Sequence, residues 1–338
     1  MYALSGRTAE DVWRAAVELF KEGGPACSQP GRGGATAEIL HVGMTIKDPR
    51  QRWIFTRTPA MNPAFALVEV IWILAGRRDA ALPTHWNPVL PRFSGDAPEH
   101  DGAYGYRLRD HFGIDQLDRV YRVLDSAPDS RQAVLQIWDA RVDLPFNDGS
   151  PARPDIPCNV VAFPKVRNGR LEWLQVLRSN DLFLGVPHNI VQFTALQEVV
   201  AGWLEVEPGE YHHMSDSLHV YERDLKFVRE TPIGISTPQS TTSFALDRAS
   251  WDKAFPDVIR RLEGMMPASL SASTLRALAV ASDVPLAYEN ALRVAAADTA
   301  RRRGWLEVAH EAMDGCNDTA LKVLWERWNQ RCGGRRQA

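Results

Sequence analysis

Apolar residues recur along the chain with two different periods, and the changes of period separate predicted helices from predicted strands. Two segments, residues 62–75 and 187–204, are apolar almost all round and are long enough to form buried helices. A more polar helix over residues 8–21 is predicted to begin at Thr8, which stands three residues before an aspartate, as in a capping box. Another helix is predicted over residues 114–124.

Period-two alternation predicts strands, and two of these strands form a hairpin. The predicted strands cover residues 36–44, 132–138, 158–163, 171–177 and 211–221. Asn168-Gly169 separates the third strand from the fourth, and this dipeptide favours a tight hairpin turn. The hairpin would bring Cys158 and Arg178 side by side at the end away from the turn.

The remaining segments suggest how the chain is divided. Residues 80–110 are rich in proline, aspartate and glycine without clear periodicity, which is typical of a ligand-facing loop region. Residues 207–210 predict a turn. Alanine- and arginine-rich helical patterns then cover residues 251–266, 270–281, 286–301 and 309–329. We therefore predict a region of mixed α/β (α+β) structure over residues 1–246 and a helical extension over residues 247–338.

Glu69 is the one acidic residue inside the apolar 62–75 segment, and its neighbours leave no polar stripe for it. A carboxylate in a buried helix costs several kcal/mol unless it is paired or protonated. A functional carboxyl group is therefore a better explanation than a surface glutamate.

Composition and charge exclude several classes of protein. Of 338 residues, 45% are hydrophobic and 24% are charged, which is typical of a globular protein. A net charge of −3 argues against a nucleic-acid surface spread over the whole molecule. The sequence begins with no basic signal-peptide region and contains no membrane-length apolar run, so we expect a cytoplasmic protein. Cysteines and paired histidines at irregular spacings predict neither a disulfide framework nor a metal site: Cys27, Cys158, Cys316, Cys332, His212 and His213.

Cys158 has more than one interpretation from the residues alone. Most cysteines outside disulfides are inert core residues. A cation such as Arg178 beside a thiol lowers the thiol pKa, however, and favours a nucleophilic thiolate. A cysteine-protease interpretation would pair Cys158 with His188 or His219, but no local sequence signature supports it.

An ordered set of motifs narrows the choice, because residues 25–235 resemble the thymidylate synthase family. The matching elements are, in order, Val68-Glu69-Val70-Ile71-Trp72, Tyr104-Gly105, Asp129-Ser130-Arg131, Pro157-Cys158, Arg178-Ser179-Asn180-Asp181, Leu184-Gly185-Val186-Pro187-His188-Asn189-Ile190 and His219-Val220-Tyr221. The resemblance implies a layered α/β fold with a mixed sheet and a homodimer whose subunits exchange arginines. It also implies 5,10-methylenetetrahydrofolate as the one-carbon donor and no metal.

By this resemblance, four residues carry the chemistry. Cys158 adds to C6 of a pyrimidine nucleotide and makes C5 nucleophilic. Glu69 is the general acid and base, and Tyr104 assists removal of the proton from C5. Asn159, directly after the nucleophile, stands where the synthases carry a histidine in the water network around the base.

The resemblance also assigns binding residues. Arg178 and Ser179 hold the 5′-phosphate, together with Arg32 from a glycine-rich loop and Arg131 from the other subunit. Asn189 recognises the pyrimidine edge and favours uracil, since cytosine-specific relatives can carry aspartate there. The remaining assignments are His219 and Tyr221 to the sugar hydroxyl, Asp181 to both substrate and folate, and Gly185 and Trp86 to folate.

Several positions depart from the family pattern. Gln132 replaces the second arginine of a pair, and Ser217-Leu218 adds one residue before His219. The segment that closes over folate in the synthases is replaced by the helical extension. These changes favour a hydroxymethyltransferase acting on dCMP, CMP or dUMP, in which water adds to the exocyclic methylene at C5. The alternatives are a thymidylate synthase that methylates dUMP and a nucleotide-binding homologue without turnover.

Overall fold

A computed structural model of the chain describes residues 1–31, 33–231, 241–282 and 284–334. Its strands are β1 (Tyr2–Gly6), β2 (Cys27–Gln29), β3 (Thr36–Ile46), β4 (Leu135–Gln136), β5 (Asn159–Arg167), β6 (Arg170–Leu177), β7 (Asn180–Asp181) and β8 (Glu207–Tyr221). Its α-helices before residue 232 are α1 (Ala9–Glu18), α2 (Pro63–Leu74), α3 (Ala81–Trp86), α4 (Pro91–Ser94), α5 (Tyr104–Arg109), α6 (Gln116–Ser126), α7 (Ala140–Asp143), α8 (Gly185–Trp203) and α9 (Leu225–Arg229), the last preceded by a short 3₁₀ turn over Glu222–Asp224. The C-terminal helices are α10 (Arg248–Gly264), α11 (Ala272–Ala279), α12 (Leu286–Arg302), α13 (Leu306–Asp314) and α14 (Thr319–Gly334).

The described strands form one mixed sheet, as the sequence predicted. Its main order is β1-β3-β8-β6-β5-β4, and β2 and β7 pair with parts of β3 and β8. The pairs β1–β3, β6–β8 and β7–β8 are parallel, whereas β2–β3, β3–β8, β4–β5 and β5–β6 are antiparallel. Strand β8 is thus central, because it pairs with β3 and also with β6 along its first half and β7 at its end.

The predicted hairpin is confirmed, and it carries Cys158 to the sheet. β5 and β6 pair antiparallel, and the turn residues Asn168 and Gly169 have positive φ angles of 51° and 71°. Such angles match the twist of a two-residue hairpin. At the opposite end, the backbone N–H of Arg178 donates to the carbonyl of Cys158 at 3.0 Å. The two residues therefore lie side by side.

The two apolar helices α2 and α8 pack against each other at the centre of the molecule. The side chain of Asn62 caps α2 by accepting from the N–H groups of the next turn. Nearly every residue of both helices is buried. α12 and α14 pack on α2, so the C-terminal helices share a hydrophobic core with the rest of the described chain. None of the described helices is long and apolar enough to cross a membrane.

Four local predictions need correction. The strand predicted over residues 132–138 is only Leu135–Gln136, because only these residues pair with β5. The turn predicted over 207–210 is instead the start of β8, because these residues pair with β6. The loop region 80–110 contains α3, α4 and α5. The helix predicted over 309–329 is interrupted before Asp318, whose side chain caps α14 by accepting from the Leu321 N–H.

Candidate active site

Cys158 lies half-buried at the residue before β5, where Arg178 holds the chain in place. The Arg178 guanidinium donates to the carbonyls of Pro157 and Ile156, with N···O distances of 3.0 and 3.3 Å. Its side chain is otherwise exposed, and Ser179 beside it is half-buried. Arg178 thus holds in place the segment that carries the thiol.

Tyr104 brings three other candidate residues into one group. Burial raises the pKa of its phenol above the usual value, and negative charge on Cys158 and Glu69 raises it further, whereas the Asn159 amide acts in the opposite direction. Such influences operate over short distances in a protein interior. Tyr104 therefore stays a neutral hydroxyl that can donate a hydrogen bond.

Close packing between α5 and α2 places Tyr104 near Glu69. A side chain at Gly105 would put its Cβ 2.3 Å from the carbonyl oxygen of Ile73, well inside any real contact. Only glycine permits this approach. The Tyr104 ring also packs against Phe193 of α8, with ring centroids 5.7 Å apart. Helices from three parts of the sequence, α2, α5 and α8, thus meet around Tyr104.

Glu69 has an ionisation suited to proton transfer near neutral pH. Burial raises its pKa to about 7, and the Gln192 amide partly offsets this effect. Its Oε2 atom lies 3.9 Å from Nδ1 of His188, and burial lowers the pKa of that histidine to about 3. Glu69 can therefore accept or donate a proton, whereas His188 stays neutral.

Asn159 belongs to a buried chain of polar side chains. Its Oδ1 accepts from Gln175 Nε2 at 3.0 Å, and Gln175 Oε1 accepts from the Trp173 indole at 3.1 Å. These bonds fix the amide so that Nδ2 points away from Gln175. Within the described part of the chain, this buried Nδ2 atom makes no hydrogen bond of regular geometry, but the amide acts on the Tyr104 hydroxyl and opposes the rise of its pKa. It offers a donor beside the nucleophile.

Asn189 is oriented by a second polar chain that the sequence analysis missed. Its Nδ2 donates to Asn180 Oδ1 at 3.1 Å, and Asn180 Nδ2 donates to His213 Nε2 at 2.7 Å. His213 in turn contacts the Tyr211 hydroxyl through Nδ1 at 2.9 Å. Burial lowers the pKa of His213 to about 3, so its ring is neutral and can accept from Asn180. Asn180 occupies the variable position of the Arg-Ser-x-Asp motif, and this place in the motif was the only sequence feature that could have pointed to it.

Asp181 forms the turn that leads into α8. Its Oδ1 accepts from the N–H groups of Phe183 and Leu184, at 2.7 and 2.9 Å. Burial raises its pKa, and Oδ2 has no hydrogen-bond partner among the residues described. Gly185 follows at the start of α8, where an added Cβ would lie 2.8 Å from Asn180 Oδ1.

His219 and Tyr221 lie at the end of β8 beside this turn. His219 pairs with Asp181 across β7 and β8, and its ring meets that of Tyr221 edge-on at 5.6 Å. The glycine-rich loop lies against Tyr221: a Cβ at Gly33 would come within 3.0 Å of the Tyr221 hydroxyl. Arg32 of that loop lies outside the described residues.

Two predicted residues lie away from this group. Arg131 is exposed on the turn before β4. Trp86 is buried, and its indole N–H donates to the carbonyl of Ala295 in α12 at 3.1 Å. Its predicted folate contact stays a prediction. Among the described residues, no group of three or more His, Cys, Asp or Glu side chains is placed to hold a metal ion.

Comparison with known proteins shows the family that this sequence resembles. A sequence model of the family described as thymidylate synthase matches residues 24–250. The chain is 36% identical over 236 residues to a deoxyuridylate hydroxymethyltransferase of Bacillus phage SP01, an alignment covering 66% of this chain and 60% of that protein. It is 37% identical over 182 residues to a deoxyuridylate hydroxymethyltransferase of Pseudomonas phage M6, covering 53% and 50%.

These alignments therefore span only half to three-fifths of the two phage proteins. Among solved structures, the crystal structure of thymidylate synthase from T4 phage superposes with a TM-score of 0.56 at 21% identity. That superposition covers 68% of this chain and 83% of the T4 chain. At this identity, the superposition supports the fold.

Proposed function

The chain belongs to the thymidylate synthase family, and from this premise we propose that it is a pyrimidine nucleoside 5′-monophosphate C5-hydroxymethyltransferase. One observation carries the proposal: Tyr104, which packs between α2 and α8, lies close enough to Cys158, Asn159 and Glu69 for each of them to act on its hydroxyl. A nucleophile, a neutral donor and a carboxyl group of raised pKa thus lie within interaction range of one another. This combination suits covalent activation of a ring carbon followed by proton transfer.

Each residue has a step that fits its surroundings. The Cys158 thiolate adds to C6 of the pyrimidine, which makes C5 nucleophilic. Tyr104, beside the thiol, assists removal of the C5 proton. Glu69 can take up and return protons near pH 7 because burial raises its pKa to about that value. Arg178 and Ser179 bind the phosphate, with Arg131 contributed by the second subunit of a homodimer.

The remaining pocket residues fit a folate donor. Asp181 Oδ2 is a buried acceptor without a partner in the described chain, and Gly185 stands where an added Cβ would lie 2.8 Å from Asn180 Oδ1. These residues would hold 5,10-methylenetetrahydrofolate by its N–H groups. When bound, this cosubstrate supplies a one-carbon unit to C5.

We place the enzyme in the cytoplasm.

The base is proposed to be uracil, which makes dUMP the first substrate to test. Asn189 has both a donor and an acceptor to offer to a pyrimidine edge. Asn180 holds one N–H of that amide, so its remaining groups face a defined direction. The two phage relatives described above are named for deoxyuridylate, in agreement with this choice.

Product identification tests the proposal. Purified protein is incubated with 5,10-methylenetetrahydrofolate and, separately, dUMP, dCMP and CMP, and the nucleotide products are identified by mass. We expect a 5-hydroxymethyl nucleotide together with tetrahydrofolate. A 5-methyl product with dihydrofolate would identify a thymidylate synthase instead. Failure to release tritium from C5 of any of these nucleotides would indicate a binding protein without turnover.

A further inference from the structure

Two pairs of side chains face each other where α2 crosses α8. Phe65 and Glu69 are four residues apart on α2, and His188 and Gln192 are four residues apart on α8, so each pair lies on one helix face. The rings of Phe65 and His188 meet edge-on with centroids 5.2 Å apart. This ring contact places His188 and Gln192 opposite Glu69.

This contact leaves three buried polar atoms unsatisfied. Glu69 Oε2, His188 Nδ1 and Gln192 Oε1 have no hydrogen-bond partner among the described residues. The separation of 3.9 Å between Glu69 Oε2 and His188 Nδ1 is too long for a direct hydrogen bond. Buried polar groups without protein partners commonly bind an ordered water, which needs two to four such partners.

The positions of these three atoms, and the donors and acceptors they offer, both fit one water molecule. A water about 2.8 Å from both Glu69 Oε2 and His188 Nδ1 would make an angle of roughly 90° at its oxygen, within the tolerated range. The Gln192 amide stabilises the ionised Glu69, which only its N–H₂ side can do, so Oε1 is left as an acceptor. The water would donate to Gln192 Oε1 and to Glu69, and it would accept from His188.

That arrangement uses both hydrogens and one lone pair of the water and leaves the second lone pair for reaction. It requires the tautomer of His188 that carries its hydrogen on Nδ1. A neutral ring is expected here, because burial lowers the pKa of His188 to about 3. Glu69, when ionised, is in position to receive the proton that the water loses on attack.

We propose that His188 and Gln192 position, against Glu69, the water that becomes the hydroxyl group of the product. The proposal rests on the hydroxymethyltransferase function proposed above. Once the one-carbon unit is on C5 and tetrahydrofolate has left, C5 carries an exocyclic methylene and C6 carries the Cys158 sulfur. The water oxygen bonds to the methylene carbon, and the electron pair of the exocyclic double bond moves into the ring. Glu69 takes the proton, and expulsion of the Cys158 thiolate restores the C5–C6 double bond.

The test measures how each activated nucleotide is used. With 5-tritiated dUMP and 5,10-methylenetetrahydrofolate, tritium release counts activation at C5, and the 5-hydroxymethyl product counts hydration. His188→Phe keeps a ring against Phe65 but removes the nitrogen, and we expect its ratio of product to tritium release to fall at least tenfold. Added 2-mercaptoethanol would then intercept the methylene as a C5 thioether. His188→Gln, which restores an N–H donor, is expected to recover the ratio to within threefold of the wild-type value.

Two further variants keep the result decisive. Gln192→Met removes the second partner and is expected to lower the ratio in the same direction, even if His188→Phe does not fold. Thr194→Val is the matched control, because it deletes a buried hydroxyl whose hydrogen bonds, among the residues described, go to carbonyls within α8. An unchanged ratio in a folded His188→Phe or Gln192→Met protein would overturn the inference. A wild-type enzyme that makes a methyl product and dihydrofolate would instead overturn the proposed function.

Discussion

Asn189 donates its side-chain N–H to Oδ1 of Asn180 at 3.1 Å, so the orientation of one amide is set by another. Asn180 is itself fixed by donating to His213 and to Ser215 Oγ, at 2.7 and 3.2 Å. An amide is nearly symmetric in shape, and only its hydrogen bonds decide which end is the donor. In this molecule the orientation of the Asn189 amide therefore depends on His213 of β8, through Asn180.

Base selectivity is expected to depend on Asn180. Asn180→Ala frees the Asn189 amide to turn, and we expect the preference for dUMP over dCMP in kcat/KM to fall about tenfold, since one hydrogen bond is worth about 1 kcal/mol or slightly more. The ratio is measured by C5 tritium release from both nucleotides. Ser215→Ala is the control, because it removes a contact of Asn180 without touching Asn189. Equal ratios in Asn180→Ala and wild type would contradict this role.

The nucleophile is tested by substitution of the thiol. We expect Cys158→Ser to reduce C5 tritium release by at least a thousandfold, because a serine hydroxyl is not ionised near neutral pH. Nucleotide binding, measured by calorimetry, is expected to persist. Cys27→Ser provides the control, since Cys27 is exposed on β2. Substantial tritium release by Cys158→Ser would exclude covalent activation through this residue.

The phenol of Tyr104 is expected to act in proton removal. Tyr104→Phe keeps the ring against Phe193 and removes the hydroxyl, so we expect tritium release to fall about a hundredfold or more, with little change in KM for the nucleotide. Tyr106→Phe, two residues along α5, is the matched control: its ring packs on Arg78 and His111. A rise in KM with unchanged kcat would instead assign Tyr104 to binding.

Glu69 is expected to make the protein less stable as the pH rises. Its folded-state pKa of about 7 lies above the ordinary value of 4.5, so the folded protein binds the extra proton between these values. Its contribution is therefore fully present below about pH 4.5 and is lost as the pH passes through 7. Glu69→Gln removes the ionisation, and relative to wild type we expect it to gain about 1–3 kcal/mol of unfolding free energy between pH 5 and pH 8. Urea unfolding at both pH values measures the difference, and a pH-independent difference would contradict the shifted pKa.

The C-terminal helices are expected to be required for folding of residues 1–246. Trp86 bonds to Ala295 of α12, and α12 and α14 cover α2, the helix that carries Glu69. A chain ending at residue 246 would expose this apolar surface, so we expect aggregation or loss of cooperative unfolding, checked by size-exclusion chromatography and circular dichroism. A monodisperse, cooperatively folded fragment would show instead that the region 247–338 is an independent unit.

Much of the local structure was predictable because it depends on neighbours in sequence. The hairpin follows from Asn168-Gly169 between two alternating segments, and that turn alone brings Cys158 beside Arg178. The apolar surroundings of Glu69 in a helix likewise indicated a buried carboxyl group, and its raised pKa agrees. Short-range spacing contains the information for both features.

Tertiary structure alone decided which side chains meet across elements. Periodicity shows that α2 and α8 are buried but not how they are rotated, so it could not place His188 opposite Glu69. The hydrogen bond between Asn180 and His213 depends on strand register. The hydrogen bond from Trp86 to Ala295 of α12 joins residues that are 209 positions apart in the sequence. Such contacts are determined by packing of the whole core, because each helix face and each strand register is chosen together with its partners.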